Sequence, residues 1–130
     1  MLLRGILVFL ALALGSILPA AGEPSGTYSG KVERITNGNP QETRTYSVNL
    51  NADQNTGKVL IYNVDGSLRS SLGIVGKFTD ARTFRGKTTA INATPGYIPD
   101  VVTLVFSADW NSAVWHHDDG NTKGDGKLSR

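Results

Sequence analysis

The densest run of chemistry-bearing side chains in the chain is Trp115-His116-His117-Asp118-Asp119-Gly120. Imidazoles and carboxylates ligate metals and carry protons, so His116, His117 and Asp118 are the residues a metal centre or metal-dependent enzyme would use. A strand through His117 sends the two histidines to opposite faces, because side chains alternate across a sheet. One ion then reaches both only through a bulge, or one histidine is joined by distant ligands such as Asp100 or Asp109. The competing reading is a strand end, with one histidine packed beside Trp115 and the other in solvent.

Other catalytic patterns fail on spacing. Asp119, Asn121 and Asp125 lie at intervals like those of a calcium loop. Lys123 falls where an oxygen ligand belongs, however, and Arg130 takes the place of the terminal acid, so the segment reads as a Gly-rich turn. No serine sits in a Gly-x-Ser-x-Gly elbow. No glutamate follows Glu42, and nothing selects a pair of aspartates for glycoside hydrolysis. Phosphate-binding loops and dinucleotide fingerprints are absent, and with no cysteine there is no thiol chemistry. These exclusions favour a protein that is not an enzyme and carries no cofactor.

A second candidate is the loop Ala93-Thr94-Pro95-Gly96-Tyr97-Ile98-Pro99-Asp100. Two prolines stiffen it, while Tyr97 and Ile98 are apolar side chains in a connection that should run over the surface. With Trp110 and Trp115 they could form a small-molecule site at one end of the fold; alternatively, Tyr97 and Ile98 fold back to plug the core. Asn92-Ala93-Thr94 is a glycosylation sequon followed at once by Pro95. A third candidate is basic: Arg69, Lys77, Arg82, Arg85 and Lys87 lie in a stretch with few acids and could meet an acidic or anionic partner. Five aspartates between Asp100 and Asp125 face a single cation, Lys123.

The elements that must position these groups read as β throughout. Tyr46, Val48 and Leu50 alternate with Thr45, Ser47 and Asn49, and Val102, Leu104, Phe106, Ala108 and Trp110 share one parity. Leu68, Leu72, Ile74 and Phe78 share another face. Asn37-Gly38, Asn55-Thr56-Gly57, Asp65-Gly66 and Asp119-Gly120 supply the turns. Between them lie strands near 27–35, 44–51, 58–64, 68–77, 83–91, 101–109 and 113–117, with a weak last strand near 127–129. Seven or eight short strands joined by hairpins predict a small antiparallel meander, either a closed or nearly closed barrel or a β-sandwich. The barrel is preferred because closure removes exposed edges, and Gly30, Gly73, Gly76 and Gly86 would supply its bends. The opening Gly26-Thr27-Tyr28-Ser29-Gly30 resembles the glycine-plus-aromatic start of lipocalin-like and avidin-like barrels, with tyrosine where lipocalins begin on tryptophan. The match covers five residues, and no site residues follow from it.

The first residues, Met1-Leu2-Leu3-Arg4, an apolar run from Ile6 to Leu18 and Pro19-Ala20-Ala21-Gly22, have the order of a cleavable signal peptide spanning residues 1–22. The apolar run is shorter than the ~20 residues a spanning helix needs, so no stable membrane anchor is expected after cleavage. Residues 23–130 then form one domain with a mobile tail from about residue 120, exported to the periplasm or beyond the cell. Loss of Arg4 leaves twelve basic and eleven acidic side chains, too even a balance for a nucleic-acid binder. The sequence therefore predicts an exported, non-enzymatic module that binds a small ligand at one end of a β-barrel. The alternatives are a protein-interaction or inhibitor module using the basic face, and a metal-dependent enzyme centred on His116 and His117.

Overall fold

The computed structural model describes residues 23–130, so the expected signal segment lies outside the described residues. Nine strands follow in chain order: β1 (Gly26–Thr36), β2 (Asn39–Pro40), β3 (Arg44–Asn51), β4 (Thr56–Tyr62), β5 (Leu68–Phe78), β6 (Thr83–Asn92), β7 (Val101–Phe106), β8 (Ser112–Asp118) and β9 (Thr122–Ser129). All neighbouring pairs are antiparallel, and β9 pairs back onto β1 from Ser29↔Ser129 to Thr36↔Thr122. That pairing closes an eight-stranded barrel and excludes the sandwich; the two-residue β2 is an extra strand on the end of β1. Among the described residues the only helical piece is one 3-10 turn, Ala52–Gln54. No helix there is long and apolar enough to cross a membrane.

Alternation explains the core. Tyr28 and Val32 on β1, Val48 and Leu50 on β3, Leu104 and Phe106 on β7 and Leu128 on β9 are buried, and their neighbours in sequence face out. Asn37 and Gly38 both take positive φ, as the two-residue turn between β1 and β2 requires.

Three expectations need correction. The segment read as a mobile tail is β9, hydrogen-bonded on both edges, and the weak strand at 127–129 is only its last part. The strand expected at 101–109 ends at Phe106. Asp109 accepts hydrogen bonds there from the Ser107 hydroxyl at 2.7 Å and the Asn111 N–H at 3.0 Å, which folds a turn. Trp110 occupies that turn at φ +63. Leu68 does not share the inner face of Leu72. Ile61 pairs with Ser70 but Tyr62 pairs with Leu68, so Arg69 is the extra residue of a bulge and Leu68 turns outward, 52 % exposed.

Candidate functional site

The barrel interior changes character along its axis. At the end where β1 begins and β9 finishes it is solid and apolar. Phe78, Phe84 and Phe106 stack edge to face or offset there, and Trp110 closes over them. The Tyr28 hydroxyl donates to the Trp110 carbonyl at 2.6 Å, and Arg130 Nε donates to the same carbonyl at 2.9 Å. The Arg82 guanidinium lies 4.1 Å from the centre of the Trp110 ring. This end is sealed.

The opposite end is polar and hollow. The last inward positions of the strands bring Arg34 from β1, Arg44 from β3, Ser70 from β5 and His117 from β8 to the rim of a cup of about 160 Å³. The β5 bulge aims Arg69 into the same cup, and Tyr46, Ile61 and Leu72 form its apolar floor. The loop 93–100 arches over one side. Buried Thr88 anchors it, accepting a hydrogen bond from the Asp100 N–H at 2.8 Å and sharing another with the Tyr97 hydroxyl.

His117 sits in the wall and is 4 % exposed. The Trp115 indole N–H donates to its Nδ1 at 2.7 Å, which leaves the ring proton on Nε2. Tyr46 stacks on the ring with centroids 5.7 Å apart and planes 11° apart. Burial, and next the charge of Arg34, lower the His117 pKa to about 4, so the ring is neutral. Its space comes from Gly124 on the neighbouring strand, where a Cβ would stand 2.1 Å from His117 Cε1.

The cup holds charges of both signs. Arg34 Nε and Arg44 Nε are buried and have no hydrogen-bond partner. Burial lowers the Arg44 pKa first, and repulsion from Arg34 and Arg69 lowers it further. Glu42 stands at the rim with an oxygen 3.5 Å from Arg44 Nε and is exposed. In the same cup, burial and then the charges of Asp119 and Asp118 raise the Asp100 pKa to about 7. The Asp119 carboxylate is engaged by the Asn121 and Thr122 N–H groups at 2.8 and 2.6 Å.

The four residues expected to hold a ligand do not converge. Tyr97 and Ile98 are at the cup, Tyr97 half-buried against the core and Ile98 exposed, while Trp110 seals the other end. Trp115 is fully buried between the two ends and reaches the cup only through its hydrogen bond to His117. The histidines do take opposite faces. His116 lies outside, 2.7 Å from Asp125 across the β8–β9 pair, and Asp118 caps its turn by accepting from the Gly120 N–H at 2.8 Å. Among the described residues no three His, Asp or Glu side chains are grouped to hold a metal ion.

The five basic residues also divide. Lys77, Arg85 and Lys87 are neighbours on the outer face of β5 and β6, in register with exposed Val75. Arg69 belongs to the cup and Arg82 to the sealed end. Sequence reasoning missed Arg34, Arg44 and Thr88 as site residues. Their signal was parity: Arg34 shares the face of Tyr28 and Val32, Arg44 that of Tyr46 and Val48, and a polar residue at an inward position near a strand end marks a wet mouth. No protein-family model matches this chain, and none of the curated proteins matches its sequence.

Proposed function

We propose that this domain is an exported, non-enzymatic module that binds a small ligand in the cup at the open end of its barrel. The observation that carries the reading is the contrast between the two ends. One end is filled and sealed, with the Arg82 Nη1 donor there unpaired against Trp110, while the other holds a hollow lined by polar groups, two of whose buried donors, Arg34 Nε and Arg44 Nε, lack acceptors. Buried polar groups in folded proteins are paired as a rule, so unpaired donors around a hollow mark a place where something binds. The cup is below the ~300 Å³ of a typical drug-sized site, so the ligand is small. Export rests on the N-terminal sequence, and amino-terminal sequencing of the protein recovered from its producing cells checks it: a chain beginning near Glu23 is expected.

The test of binding is an NMR titration with panels of small acids, sugars, amines and amides. A ligand in the cup moves the amide signals of Thr88, Tyr97, His117 and Gly124 together. Shifts confined to Lys77, Arg85 and Lys87 would overturn the reading in favour of an outer-face interaction module. That second reading is supported by the row Val75–Lys87–Val101, in which two exposed apolar side chains flank a cation.

A further inference from the structure

We propose that the ligand of the cup is a small oxyanion, a carboxylate or phosphate group, held by the guanidinium groups of Arg34, Arg44 and Arg69. This rests on the reading of the cup as the binding site and names the chemistry that fills it. Three strands of different sequence deliver an arginine to one rim, the third only because a bulge interrupts β5 at Arg69. Guanidinium groups match carboxylate and phosphate oxygens in pairs of parallel hydrogen bonds, which lysine cannot supply.

What the arginines lack is as informative as where they stand. The Arg34 Nη2 donates to the Glu42 backbone carbonyl at 3.3 Å, and that is its side chain's one hydrogen bond among the described residues. Arg44 meets Glu42 only loosely, at 3.5 Å and without hydrogen-bond alignment, so its Nε stays unpaired. Arg69 forms no ion pair among the described residues. Like charges gathered in a half-buried cup repel: burial first, and then the charges of Arg34 and Arg69, lower the Arg44 pKa. An oxyanion supplies acceptors for both orphaned Nε–H groups and removes the repulsion at one stroke. His117 adds a neutral donor, the Nε2–H, from the wall beside Arg34. Asp100 and Asp119 line the same cup, so the anion must fit beside two carboxylates, which limits its size.

The test is an NMR titration of the intact protein, following the arginine Nε–H signals. The probes are inorganic phosphate, sulfate, acetate and malonate, with glucose, acetamide and ethylammonium as neutral and cationic controls. Phosphate or malonate should shift the Arg34 and Arg44 Nε–H signals in a saturable way, and raising sodium chloride should weaken the binding. Arg34→Gln and Arg44→Gln should each weaken it at least tenfold, whereas a Lys77, Arg85 and Lys87 triple glutamine variant should leave it unchanged. Malonate stronger than phosphate assigns a carboxylate ligand, and the reverse order a phosphate. Saturable binding of glucose or acetamide in the cup, insensitive to Arg44→Gln, would overturn the oxyanion and leave the cup as a binding site. If no probe of any class moves a cup signal, both readings fail together. Folding of the glutamine variants is checked by the Trp115 indole N–H signal, which should stay where the wild-type protein has it.

Discussion

Replacing Gly124 by alanine puts a methyl group where the His117 ring already stands. The new Cβ would lie 2.1 Å from Cε1, 2.7 Å from Nδ1 and 2.8 Å from Nε2. Alanine itself suits the backbone, since Gly124 is not among the residues of positive φ. The ring cannot step aside in place, because Tyr46 stacks on it and Trp115 is bonded to it. It must leave, or the β8–β9 pair must part. Overpacking of this kind costs roughly 1–3 kcal/mol. Stranding the buried Trp115 N–H adds about 1–2 kcal/mol. The sum, on the order of 2–5 kcal/mol, is a large share of the ~5–15 kcal/mol that holds a small domain together. In a domain of this size it corresponds to a fall in Tm of about 10–30 °C. The assay is urea and thermal unfolding, with the indole N–H signal of Trp115 as a local reporter. A double-mutant cycle isolates the cause: in a His117→Ala background the clash is gone, and Gly124→Ala should then cost under ~1 kcal/mol. A single variant within ~1 kcal/mol of the wild type, with the Trp115 signal unmoved, would refute the packing argument.

Further predictions concern the ends of the barrel and its titrating groups. Arg130→Ala removes two hydrogen bonds to the Tyr28 hydroxyl and one to the Trp110 carbonyl, so unfolding in urea should show a loss of about 1–3 kcal/mol, nearly matched by Tyr28→Phe. The pH profile follows from two opposed shifts. Asp100 is raised to about 7, so the fold favours its protonated form and stability falls as pH rises from ~4 to 7. His117 is lowered to about 4, so the fold favours its neutral form and stability rises between pH 4 and ~6.5. The wild type should therefore be nearly flat across this window. Asp100→Asn should unmask a rise and His117→Gln a fall, which denaturation midpoints from pH 4 to 8 will check. His116→Ala breaks only an exposed pair with Asp125 and should change stability by less than ~1 kcal/mol. Zinc should not raise the Tm, because His116 and His117 face opposite sides of the wall; a zinc-dependent rise of several degrees would contradict the register of β8.

Most of the fold was legible because a filled barrel imposes a period of two. Tyr46, Val48 and Leu50 announce β3, and Asn37-Gly38 announces the turn between β1 and β2, because positive φ at two successive positions leaves few residue choices. The closing strand was not legible, for the reason that makes closure work. The inward positions of β9 are Gly124, Gly126 and Leu128, and a strand with glycine where apolar side chains belong carries almost no hydrophobic pattern. Those glycines are set by neighbours, the His117 ring against Gly124 and the Lys31 carbonyl against Gly126, which no local window contains. The bulge at Arg69 was hidden similarly, since a one-residue offset shows only in the partner strand. Of the site, the opposite faces of His116 and His117 could be read from alternation alone. That Trp110 and Tyr97 lie at opposite ends could not, because it depends on Trp110 belonging to a turn rather than to β7. Arg34 and Arg44 were readable by parity, but the composition of the basic stretch drew attention to residues that proved to be scattered.

The most direct test of the central claim is native mass spectrometry of the protein taken from its producing cells, repeated after incubation with phosphate and with malonate. Occupancy of the cup predicts a small added mass on the folded chain that disappears in the Arg34→Gln, Arg44→Gln double variant. A bare chain under all three conditions, or an adduct that persists in that variant, would contradict it.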